Sequence, residues 1–154
     1  MFNKMIVFDM DGTLANFYGV ENWLDMIRSG NATPYKIAEP LYDIDTLNII
    51  FDMLRALGYR IAITSWLAKN STREFDTQVR NAKYSWIKKV GLEVDEIHIV
   101  KYGTPKADVT RKNNCFQILV DDEDNNLDMW DLGTTIDAKK NVVNQLLQLI
   151  DKEI

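Results

Sequence analysis

Phe8-Asp9-Met10-Asp11-Gly12-Thr13 closes an apolar run, Met5-Ile6-Val7-Phe8, that carries no polar alternation. An uninterrupted run of that kind suits a parallel strand buried on both faces, and Gly12 permits the tight turn that follows it. Within a strand, residues i and i+2 point to the same side, so Asp9 and Asp11 are expected to converge on one ligand. Open α/β sheets place their chemistry at the carboxyl ends of the strands. The stretch therefore predicts a fold class and the position of a site within it.

Outward from this point the same two patterns alternate. Short runs suited to buried strands are Arg60 to Thr64, Glu96 to Val100, Gln117 to Val120 and Thr134 to Ile136. Between them lie stripes of helical period. Leu47, Ile50, Phe51 and Leu54 follow the cap candidate Asp45 and stop at Gly58, and Phe75, Val79, Ala82 and Trp86 end before Gly91. Val142, Val143, Leu146, Leu147 and Ile150 follow the cap candidate Asp137. Alternation of strand and helix predicts an α/β, Rossmann-like three-layer sandwich with a mostly parallel sheet and right-handed crossovers. Residues 17–40 break the rhythm with one expected helix, Val20 to Ser29, then Gly30, Asn31 and the prolines Pro34 and Pro40. They read as a small cap insertion in a single domain spanning 1–154.

Composition narrows the functional classes. A chain of 154 residues accommodates one domain with a substantial core. No window approaches the roughly 18 apolar residues of a membrane helix, and Met5 to Phe8 is too short for a signal peptide, so a cytoplasmic protein without membrane partners is expected. The single cysteine, Cys115, cannot form an internal disulfide and agrees with a reducing compartment. A net charge of −5 argues against adhesion to nucleic acid driven by the whole-protein field, while the basic residues between Lys101 and Lys112 leave a local phosphate-binding patch open. Nothing in the sequence specifies an oligomeric state.

Four of the candidate strands lead into polar residues of particular kinds. The first ends in Asp9 and Asp11, the second in Thr64 and Ser65, the third leads through Tyr102-Gly103-Thr104-Pro105 to Lys106, and the fourth ends in Asp121 and Asp122. Parallel strands bring all four ends to one edge. Carboxylates about 4 Å apart repel by roughly 4 kcal/mol at an effective dielectric of 20, so several converging ones require a cation. Mg²⁺ suits an all-oxygen donor set, whereas the lone histidine His98 and lone Cys115 offer no convincing zinc set. An EF-hand is excluded, because Asp122-x-Asp124-x-Asn126 is followed by Leu127 where the calcium loop has glycine.

The DxDGT pattern at Asp9 to Thr13, with hydroxyl, lysine and carboxylate pair following in that order, resembles the haloacid dehalogenase (HAD) superfamily over Met5 to about Ile136. The resemblance implies that Asp9 is a nucleophile forming an aspartyl-phosphate. Asp11, present in the phosphatase branch, implies an acid and base that protonates the leaving oxygen and then activates water. Ser65, with Thr64 alongside, and Lys106 are expected to bind the phosphoryl oxygens. The implied magnesium ligands are the Asp9 and Asp121 carboxylates, the Asp11 carbonyl and Asp122 through water.

Phe8 to Phe17, Ile63-Thr64-Ser65, Asn81-Ala82-Lys83-Tyr84-Ser85-Trp86-Ile87-Lys88-Lys89 and Leu119-Val120-Asp121-Asp122 are similar to deoxyribonucleotidases and related small phage-type proteins. The Lys-Tyr helix and Asp128-Met129-Trp130 also resemble the phosphatase module of phage polynucleotide kinases. A nucleotide is therefore the expected substrate, with a nucleic-acid 3′-phosphate end or a non-catalytic binding role as alternatives. Phe17, Trp23 and Trp66 are the candidate substrate contacts, with Tyr18 beside them. Response-regulator receivers use similar groups, but their acidic pair precedes the phosphorylated Asp, whereas Asp121 and Asp122 come last here.

Overall fold

The computed structural model describes residues 2–154. Its strands are β1 (Lys4–Phe8), β2 (Tyr59–Trp66), β3 (Glu96–Val100), β4 (Phe116–Asp121) and β5 (Gly133–Asp137). They form one sheet in the order β3-β2-β1-β4-β5, and every neighbouring pair is parallel. The expected α/β class holds, with an all-parallel sheet flanked by helices.

Met5, Ile6, Val7 and Phe8 are all fully buried, as the apolar run of the central strand demands. Their side chains alternate between two cores. Ile6 and Phe8 pack with Ile61, Ile63, Ile118 and Val120 under α3 (Ile44–Ala56) and α7 (Val142–Glu153). Met5 and Val7 pack with Ala62 and Leu119 on the other side, against Ala107 of α5 (Lys106–Thr110) and Trp130, which follows α6 (Asp124–Asp128). Each such apolar side chain contributes about 1.5–3 kcal/mol on burial. These layers hold the carboxyl ends of the strands at one edge.

Local chemistry moves several helix starts from their expected places. α3 is capped by Asp43, whose carboxylate accepts from Thr46 N at 3.0 Å, rather than by Asp45. Asp45 lies in the first turn instead, where negative charge complements the helix dipole. α7 is capped by Asn141, because Asp137 is the last residue of β5. The long helix α4 (Arg73–Val90) starts at the Thr72 cap and stops at Gly91, whose φ of 81° is left-handed.

The segment 17–40 holds a 3₁₀ turn at Phe17–Gly19, α1 (Trp23–Arg28) and α2 (Thr33–Ile37) in place of a single Val20 to Ser29 helix. Asn22 has φ 62°, which breaks the helix that would otherwise start at Val20. Pro34 sits in the first turn of α2, where its missing N–H is harmless. Phe17, Ala32 and Tyr35 pack on Leu67, Phe75, Val79, Ala82 and Ile99, seating the insertion on α4 and the strand edge. Asn16 N donates to Glu39 O at 2.7 Å and Leu41 N to Leu14 O at 2.9 Å, so its two ends are tied together. Among the described residues no helix is long and apolar enough to cross a membrane.

Candidate active site

Register builds the floor of the site. Phe8 lies opposite Ile63 and Val120, so one step further Asp9, Thr64 and Asp121 form a row across three strands. Alternation turns that row toward the face covered by α5. Lys106, the first residue of α5, donates from Nζ to Asp9 Oδ1 at 2.6 Å and to Asp121 Oδ2 at 2.8 Å. Asp121 also accepts from Glu123 N at 3.0 Å and Asn126 Nδ2 at 3.1 Å. Thr13 Oγ1 lies 3.1 Å from Asp9 Oδ2 and 3.4 Å from Asp122 Oδ1. A Cβ on Gly12 would collide with the Asp122 carboxylate, which explains a glycine there beyond its φ of 83°.

Carboxylate oxygens of Asp9, Asp121 and Asp122 lie within 4.8 Å of one another. Burial, and then the charge of Asp9, raises the Asp121 carboxyl above its ordinary range. The same two causes push Asp122 up to about 8. Burial works to lower Lys106, but Asp9 and Asp121 overcome it and hold its ammonium charged. One ammonium thus pairs with two of the three clustered carboxylates, Asp9 and Asp121, and not with Asp122. That all-oxygen, electron-rich cluster is chemically suited to a hard divalent cation.

Asp11 lines the same cleft as Asp9, but strand alternation is not what brings it there. β1 ends at Phe8, and Thr13 N, Leu14 N and Ala15 N all donate to Met10 O, so the period of two no longer governs Asp11. Its carboxylate accepts from Lys83 Nζ at 2.9 Å. Burial raises Asp11, and the Lys83 charge opposes that rise. Both aspartates line the same cleft but are held by different lysines.

Lys83 is the site residue that the sequence reading missed as such. It is fully buried on α4, and its ammonium also donates to Ser65 Oγ and Trp66 O, each at 2.7 Å. A signal for it existed: Lys83 follows Val79 by four residues and precedes Trp86 by three, placing a lysine on the apolar face of an amphipathic helix. The two candidate hydroxyls also separate by face. Ser65 lines the cleft with its oxygen engaged by Lys83, whereas Thr64, in the row of Asp9, is buried with no partner for its Oγ1 among the described residues.

Above this floor opens a cleft of about 880 Å³. On the insertion side Phe17 is only 4% exposed and stacks on Tyr35 with ring centroids 4.5 Å apart, making it chiefly a packing residue. Trp23 contacts Phe17 and Tyr18, and Tyr18 is 55% exposed toward the cleft. On the opposite wall Trp66 packs against Tyr102 at 5.0 Å and donates from Nε1 to Thr104 O at 2.8 Å. Trp66 is thus fixed by the loop after β3. His98 pairs with Glu96 at 2.8 Å on β3, and the partly buried Cys115 packs against the cluster that holds Met5 and Val7, so neither lines the cleft.

No family model matches the sequence, and no curated protein matches it. Solved structures do match. D,D-heptose 1,7-bisphosphate phosphatase from Burkholderia thailandensis aligns with a TM-score of 0.58 at 12% identity, over 96% of this chain and 98% of that one. The likeness is one of fold, a parallel α/β sheet flanked by helices. A chain of the Pnkp1/Rnl/Hen1 complex shares this fold with a TM-score of 0.56 at 17% identity, over 88% of this chain and 46% of that one. A second structure, of the Pnkp1/Rnl/Hen1 RNA repair complex, aligns at 0.55 and 18% identity over 88% and 42%. The present chain therefore spans less than half of the chains it matches in those complexes.

Proposed function

We propose that the chain is a Mg²⁺-dependent phosphomonoester hydrolase that works through an aspartyl-phosphate on Asp9, with a nucleotide as substrate. The observation that carries this reading is the division of the floor, with Asp9 and Asp121 clasped by Lys106 while Asp11 stands apart on Lys83. That separates a nucleophile and a metal-binding cluster from an acid and base.

An Asp9 carboxylate oxygen attacks phosphorus as the ester P–O bond breaks, and the departing alkoxide takes a proton from Asp11. The burial that raises Asp11 favours the protonated form this step uses. Asp11 then takes a proton from the water that attacks the acyl-phosphate, releasing inorganic phosphate and restoring Asp9. Lys106 offsets phosphoryl charge, and hydroxyl hydrogens of Thr64 and Ser65 donate to the phosphoryl oxygens. Ser65 accepts from Lys83 and keeps its own hydroxyl hydrogen free to donate into the cleft. The Asp9 and Asp121 carboxylates, the Asp11 carbonyl and Asp122 through water would hold Mg²⁺, whose contribution when bound is to offset the charge of the acidic cluster and the phosphoryl group.

Residues 17–40 act as the cap of a single domain, and Tyr18 and Trp23 offer faces for a base while Trp66 lines the opposite wall. A nucleic-acid 3′-phosphate end is the second reading, favoured by aromatic side chains on both walls of an 880 Å³ cleft and by the fold shared with a chain of an RNA repair complex. Phosphate release from nucleoside monophosphates, sugar phosphates and 3′-phosphorylated oligonucleotides, with Mg²⁺ and with EDTA, tests these readings. Metal-dependent release by wild type and none by Asp9→Asn is the expected result. Silence of well-folded wild type across the panel would favour a binding protein instead.

A further inference from the structure

We propose that Lys83 is a positioning residue for leaving-group protonation: by tying Asp11 to Ser65 and to the Trp66 carbonyl, it fixes the acid relative to the phosphoryl-binding end of β2. The proposal rests on the reading of Asp11 as the acid and base.

Three features of the geometry support it. An ammonium carries three N–H donors, and those of Lys83 are matched by Asp11 Oδ2 at 2.9 Å, Ser65 Oγ at 2.7 Å and Trp66 O at 2.7 Å. No donor is left for a substrate phosphate, so Lys83 acts through its neighbours. The three acceptors come from two separate pieces of chain, the turn after β1 and the end of β2, which no other side-chain bond between the described residues of those pieces joins. A fully buried lysine is costly unless its partners are well placed, so its location on the apolar face of α4 fixes the positions of both pieces.

The insertion meets the same atom. Lys83 Nζ lies 4.9 Å from the centroid of the Tyr35 ring, so the cap packs over the lysine that holds Asp11. Lys106 approaches from the α5 face and holds Asp9 and Asp121. Misplacing a general acid slows departure of an alkoxide, which leaves only with a proton, far more than departure of nitrophenolate, which leaves without one.

The test compares kcat/KM, which reads the steps through leaving-group departure, for p-nitrophenyl phosphate and for the alkyl monoester that wild type hydrolyses fastest. Wild type, Asp9→Asn, Asp11→Asn, Lys83→Met and Asp11→Asn/Lys83→Met are measured. Lys83→Met is expected to lose on the order of 100-fold on the alkyl ester and only a few-fold on p-nitrophenyl phosphate. The double variant is expected to show no loss on the alkyl ester beyond that of Asp11→Asn alone. Equal losses on both substrates, no loss, or a further loss in the Asp11→Asn background would overturn the proposal. If Lys83→Met does not fold, Lys83→Gln carries the same comparison; failure of both to fold would make Lys83 a core residue and sink the idea. Silence of wild type on both esters would instead count against the phosphatase reading, so the two failures are distinct.

Discussion

The floor of the cleft and its insertion wall are built on different physical terms. On the floor, Asp9, Thr64 and Asp121 are placed by the register of parallel strands and are nearly excluded from solvent. On the wall, α1 has no fully buried residue and no side-chain cap, and its Trp23 packs edge to face with Tyr18, which is open to solvent. Backbone register sets the floor atoms, whereas the wall is held by a small apolar cluster and a tie at its base. The difference teaches where to look for chemistry and where for selectivity: substitutions on the floor should alter kcat, and those on the wall KM.

Asp9→Asn should break this division most severely, with turnover lost by on the order of 10⁵-fold while folding and cleft shape persist. Retained metal-dependent phosphate release by the variant would remove Asp9 from its role. Asp11→Asn should be milder, losing about 10²–10⁴-fold on alkyl esters and less on p-nitrophenyl phosphate. Steady-state kinetics on both ester classes reads this directly, and uniform losses would count against an acid at Asp11.

The electrostatics of the floor can be probed through stability. Lys106→Met leaves Asp9 and Asp121 facing one another, and should cost about 3–5 kcal/mol in denaturant titrations with EDTA, part of it recovered by Mg²⁺. A second expectation concerns pH. In the metal-free protein Asp122 is pushed up to about 8 by burial and then by Asp9, well above its ordinary carboxylate value. The folded chain thus retains a proton that the unfolded chain has lost, so this group's destabilising effect is absent below about pH 4 and grows as pH rises toward 8. Thermal melts with EDTA should fall over that interval, and the added stability from Mg²⁺ should widen. A gap independent of pH would contradict the acidic cluster as the metal site.

The wall should give the smallest effects. Trp23→Ala is expected to raise KM for nucleotides by about 5- to 100-fold, the equivalent of one lost stacking contact, with little change for p-nitrophenyl phosphate. Equal changes on both substrates would reduce Trp23 to packing, the role that burial already gives Phe17.

Much of the fold was legible because it follows from simple periodicity. Met5 to Phe8 has no polar residue and lies in the central strand, and the separated runs pair in parallel to put Asp9, Ser65, Lys106 and Asp122 around one cleft. Features set by tertiary geometry were not legible. Asp11 lies past the end of the strand and pairs with Lys83 rather than Lys106, and Asp43 and Asn141 cap helices where Asp45 and Asp137 look equally capable. Thr64 and Ser65 are chemically alike and part only when register assigns them to opposite faces. Lys83 is hidden within a helix rich in lysine and arginine, where only its position relative to Val79 and Trp86 distinguishes it from solvated neighbours.

The central claim is that phosphate passes through Asp9. Incubating Asp11→Asn with ³²P-labelled substrate and Mg²⁺, quenching in acid and mapping the label by peptide mass spectrometry tests it most directly. The account predicts label on the peptide containing Asp9, absent with EDTA and absent in the Asp9→Asn protein. Label on another residue, or wild-type phosphate release without any trapped acyl-phosphate in either protein, would contradict it.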